Sequence, residues 1–106
     1  MARKARPAHE PRLADNPTLK QARTFMRGMV RWMGPGFHPD TDFNEYVISE
    51  TGEPSFLPAK ADELNEKVSR AMQVLEDSEL DPYEDSCRVQ RRMMYKIYAD
   101  NGITPA

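Results

Sequence analysis

Apolar residues recur at helical spacing in three separate stretches of the chain. Leu19, Ala22, Met26, Met29, Val30 and Met33 fall three or four residues apart. At 100° per residue they cover roughly a third of a helix circumference. Phe25 and Trp32 widen that stripe on one flank. Asn16-Pro17 supplies an N-cap and a proline at the first helical position, where a missing N–H costs nothing. Gly34-Pro35-Gly36 supplies the stop, with either glycine free to take a positive φ.

A second helix is predicted from about Pro58 to Asp77. Ala61, Leu64, Val68, Ala71, Met72 and Leu75 share one face. Glu63 with Lys67, and Glu66 with Arg70, are i,i+4 pairs in the favoured order on the other. Ser78-Glu79-Leu80 connects to a third helix. Asp81 is its expected N-cap, Pro82 its first residue and Glu84 the third, an acidic variant of the capping box. Its expected apolar face is Tyr83, Cys87, Met94, Ile97 and Tyr98, flanked by Met93 and interrupted by Gln90. Asn101-Gly102 ends it.

Residues 37–57 are the least regular. Residues 37–43 read as a loop or a single helical turn. Tyr46-Val47-Ile48 is β-branched and aromatic, Thr51-Gly52 is a turn signal, and Ser55-Phe56-Leu57 can pair back. This predicts a short β-hairpin between the first two helices, with Pro54 confined to an edge. The fold class is therefore mainly α, a small three-helix domain over residues 16–106. Residues 1–15 read as a basic flexible N-terminal tail. Arg3, Lys4, Arg6 and Arg12 alternate there with Ala and Pro, and Leu13 is its one large apolar residue after Met1.

Composition makes the core thin. Leu, Ile, Val and Phe account for 18 of 106 residues, below the roughly 20% under which a chain of high net charge is disordered, but the net charge here is low. Seven methionines, Trp32 and four tyrosines make up part of the difference. A homodimer or a partner could supply the missing burial. A single cysteine excludes an intramolecular disulfide and fits a reducing compartment, so the expected location is cytoplasmic. The basic start lacks the apolar run of a secretory signal, and no stretch is apolar enough to span a membrane.

Charge changes the picture most. The formal total of -2 hides a segregation. Residues 1–36 carry a net +6, residues 37–86 a net -11 and residues 87–106 a net +3. On the first helix Lys20, Arg23, Arg27 and Arg31 fall within about 80° of one another. Arg88, Arg92 and Lys96 form a second stripe on the third helix. Both are candidate anion-binding surfaces, the first with Phe25 and Trp32 nearby. Glu76, Asp77, Glu79, Asp81, Glu84 and Asp85 lie within ten residues with no basic group among them. They form a candidate acidic surface for a cationic partner.

No catalytic or metal set is found. Asp40, Asp42 and Asn44 match the opening ligands of a calcium loop. The sixth position is Glu45 in place of Gly, and the twelfth is Thr51 in place of an acid. His9 and His38 are the only imidazoles, too few with one cysteine for a structural zinc site. No phosphate-binding glycine loop occurs, and no cofactor is expected. The leading expectation is a non-catalytic interaction protein. It docks its acidic surface on a basic, nucleic-acid-processing host protein, as an inhibitor encoded by a virus or mobile element would. The alternative is a nucleic-acid-binding accessory protein using the basic tail and first helix. A small enzyme or metal protein ranks third.

Overall fold

The computed structural model describes residues 9–46 and 57–103. Three helices account for most of them: α1 (Leu19–Met33), α2 (Pro58–Asp77) and α3 (Glu84–Asp100). A short 3-10 turn spans Phe43–Tyr46. The protein is mainly helical, and no strand occurs among the described residues. The expected hairpin falls largely on residues 47–56 and lies outside them.

α1 is the shared element, packing against both α2 and α3. It buries Ala22, Phe25, Met26, Met29 and Val30. α2 buries Ala61, Leu64, Val68, Ala71 and Leu75, five of the six positions the periodicity selects. The sixth, Met72, is partly buried against the same core. Phe25, placed on a flank by spacing, is 1% exposed and sits in the core. Leu19 is the exception at the other extreme, exposed on the first turn of α1.

The loop after α1 contributes to this core. Phe37 and Phe43 are both buried, their rings 6.0 Å apart. The 3-10 turn packs on α2. Asn65 of α2 fixes it in place: its side-chain oxygen accepts from the Phe43 amide at 2.8 Å, and its Nδ2 donates to Asp42 at 2.8 Å.

Two of the three helix starts, those of α1 and α3, differ from expectation. α1 is capped by Thr18, two residues beyond Asn16. Thr18 Oγ1 accepts from the Gln21 amide, and Gln21 Oε1 accepts from the Thr18 amide. This reciprocal box satisfies two donors where an Asn16 cap offers one acceptor. α2 starts as expected, with Pro58 following an extended Leu57. At α3, Asp81 accepts from the Tyr83 amide and forms a turn, so the helix begins at Glu84. Glu84 makes no capping box; its carboxylate pairs with Arg88 at 2.9 Å.

The ends of α2 and α3 share one hydrogen-bond pattern. Leu80 and Glu79 amides close on Leu75 and Glu76 carbonyls, as Ile103 and Gly102 amides close on Tyr98 and Ala99. This is the Schellman motif, whose turning residue needs a positive φ. In α3 it is Gly102, at φ 69°; in α2 it is Glu79, at φ 61°. α1 ends at Gly34, φ 99°, whose amide donates to Val30.

The part of the expected tail that the structure describes lies on the helices. Leu13 packs against the core. Lys60 bonds Glu10 at 2.7 Å, and Arg70 donates to the Ala14 carbonyl at 2.8 Å. Pro11 passes over Gly28, where an added Cβ would come within 3.1 Å of the proline ring. These contacts supply burial that residue composition alone does not reveal.

Candidate anion-binding cleft

α3 turns a face to α1 that is rotated from the expected one by about one residue, or 100°. Its buried residues are Asp85, Ser86 and Val89, with Met93 packed behind them. Cys87, expected in the core, is exposed, as is Ile97. Gln90, read as an interruption, is a tether. Its Nε2 donates at 2.7 Å to the carbonyls of both Pro35 and Phe37, tying the turn after α1 to α3.

Asp85 is the centre of the seam. Its place in the acidic run predicts a surface position, yet it is 3% exposed. Arg23 Nε donates to it at 3.1 Å and Arg23 Nη2 at 3.3 Å, while Arg27 Nε donates at 3.2 Å. A buried carboxylate needs such partners, since stripping its hydration without replacement is expensive. The hydrogen bond and the charge of Asp85 hold the Arg23 guanidinium more firmly protonated than usual.

Around this carboxylate the two basic stripes converge. Arg23, Arg27 and Arg31 from α1 and Arg88 and Arg92 from α3 line one cleft of about 150 Å³. Five arginines thus line a cleft that holds one buried acid, and two of them bond it. Arg88 is also engaged by Glu84 at the surface. Arg31 and Arg92 are exposed, and among the described residues neither forms an ion pair. Two members of the stripes stand apart from the cleft. Lys20 is exposed at the start of α1, and Lys96 lies 3.7 Å from Asp100. Phe25 is buried and cannot stack on a ligand; Trp32 is partly buried against the core.

The remaining acids face solvent. Glu76, Asp77, Glu79, Asp81 and Glu84 are all exposed. Asp40, distant in sequence, joins them: it accepts from the Tyr83 hydroxyl at 2.9 Å. That bond, with burial and the nearby charges of Asp40, Glu76 and Asp81, raises the Tyr83 phenol above its ordinary range. Asp42 does a different job. Bonds from the Asn44 amide and then from Asn65 hold its carboxyl below the usual range. Among the described residues no three His, Cys, Asp or Glu side chains are placed to hold a metal ion. His38 Nδ1 accepts from the Asp40 amide within its own turn.

The convergence of the stripes was not visible in the sequence. Spacing fixes which residues share a helix face, not which faces meet. One signal was available: Asp85, Val89 and Met93 repeat at i, i+4, i+8 beside a basic stripe. An acid heading an apolar row is what a buried counter-ion would require. Compared with known protein families, with curated proteins and with solved structures, the chain matches none. Among the described residues no helix is long and apolar enough to cross a membrane.

Proposed function

We propose that the protein is a non-catalytic nucleic-acid-binding accessory protein whose α1–α3 cleft grips backbone phosphates. The observation that carries this reading is the convergence of five arginines from two helices around Asp85. Guanidinium groups bond phosphate oxygens through paired N–H donors. Asp85 holds Arg23 and Arg27 in place, while Arg31 and Arg92 keep their donors for a ligand. The arginines' charge exceeds the charge of the acid that organises them, so the cleft attracts anions. A single exposed thiol, Cys87, fits action in the reducing cytoplasm.

The test is fluorescence anisotropy of labelled oligonucleotides with the full chain between 50 and 200 mM salt. Affinity should fall steeply as salt rises, because each phosphate contact releases counterions. Arg31→Glu with Arg92→Glu should abolish binding and leave the circular dichroism spectrum unchanged. Absence of binding at 50 mM salt overturns the reading.

A second reading has its own supporting observation. Asp40 extends the acidic residues of α2 and the α2–α3 turn across to the loop after α1. That face suits docking on a basic, nucleic-acid-processing host protein, as in an inhibitor from a virus or mobile element. Capture from a native host lysate, with and without nuclease, separates the two. A partner retained after nuclease and lost on reversing Glu76, Asp77 and Glu79 to Lys favours docking. A partner lost with nuclease favours the cleft.

A further inference from the structure

The basic cleft does not end at its arginines. At its Arg31, Val89 and Arg92 edge it continues into a second hollow of about 390 Å³, which adds Met93 and Lys96. The chemistry changes along this path. The first part is walled by guanidiniums and floored by Asp85. The second has Val89 and Met93 for a floor, with Arg31, Arg92 and Lys96 at its margin. Three side chains belong to both parts, so one ligand can occupy them together.

We infer that the ligand of this surface is single-stranded nucleic acid, with a phosphate in the arginine cleft and the neighbouring base on the Val89–Met93 shelf. This rests on reading the cleft as a phosphate site and adds which polymer fits. A duplex presents phosphates with its bases stacked inside, and so leaves an apolar shelf beside the phosphate site unused. A single strand offers an unstacked base one sugar away from each phosphate. The planar guanidinium of Arg31 or Arg92 covers the base face, as arginine does against other π systems. An acidic peptide fits the positive margin too, but it sets a flat ring beside an anion only where an aromatic residue happens to adjoin an acid, whereas a single strand does so at every nucleotide. The size of the hollow falls within the range of about 300–1,000 Å³ that holds small organic groups.

The experiment compares four fluorescein-labelled probes against the unaltered full chain at one salt concentration. They are a 15-nucleotide DNA strand, the RNA of the same sequence, a 15-nucleotide abasic sugar-phosphate strand, and the 15-base-pair duplex. The expected result is that at least one base-bearing strand binds about tenfold more tightly than the abasic strand, the gain of one stacked base. The duplex, for all its higher charge density, binds less tightly than that base-bearing strand. Equal binding of base-bearing and abasic strands overturns the shelf and leaves the phosphate cleft standing. Preference for the duplex also overturns it. Failure of all four probes at 50 mM salt removes the cleft and the shelf together.

Discussion

α2 and α3 both pack on α1, but they bring different chemistry to it. α2 presents five buried apolar side chains. α3 presents a carboxylate, a hydroxyl and one valine, and its best-made bonds to α1 are ionic. The first seam is closed and holds the fold together by excluding water. The second leaves a charged cleft open at the surface. Such a seam is a costly way to build a core, because Asp85 must keep both arginine partners. It is a direct way to hold arginines where a ligand can reach them.

That contrast predicts unequal responses to substitution. Phe25→Ala should give the largest loss, about 3–5 kcal/mol by denaturant unfolding, because a large ring leaves a cavity in a packed core. Asp85→Ala should cost less, about 1–3 kcal/mol, since its removal strands two guanidinium groups that still reach solvent in part. If Asp85→Ala cost as much as Phe25→Ala, the ionic seam would be a second core and the contrast would fail.

How much was legible follows the same division. The α1 and α2 stripes were readable because buried apolar residues repeat at helical spacing. Ala22, Met26, Met29 and Val30, and Ala61, Leu64, Val68, Ala71 and Leu75, lie where the pattern put them. α3 misled because a search for apolar residues follows Cys87, Met94 and Tyr98. The helix instead buries Ser86 and Asp85, and the burial of Asp85 depends on arginine partners on another helix. Gln90 was invisible for the same reason, since its two acceptors are backbone carbonyls over fifty residues away. The arginines themselves were all legible; their meeting required the packing.

Ser86 sharpens the comparison further. Among the described residues its buried hydroxyl has no hydrogen-bond partner. Ser86→Ala should therefore raise stability by about 1 kcal/mol, measured by the same unfolding assay. A loss of that size would mean that the hydroxyl is bonded in solution.

The smallest effect concerns the α2 side of the molecule. The Asp42 carboxyl is lowered by Asn44 and Asn65, so the folded state binds its proton less readily than the unfolded state. Its contribution is full above the ordinary value of about 3.9, and is lost as pH falls through the lowered native value. Thermal unfolding between pH 5 and pH 2 should show stability declining over that window. Asn65→Ala should make the decline shallower, because the native carboxyl moves back toward its ordinary value. An unchanged slope would remove Asn65 from the account.

The central claim is that the arginines of α1 and α3 act as one anion site. The direct measurement is an NMR titration of arginine side-chain Nε–Hε signals with a short single-stranded oligonucleotide. Arg31, Arg88 and Arg92 signals should shift together along one binding curve, while the Arg70 signal on α2 stays still. Shifts spread evenly over all arginines, or confined to one helix, would contradict the claim.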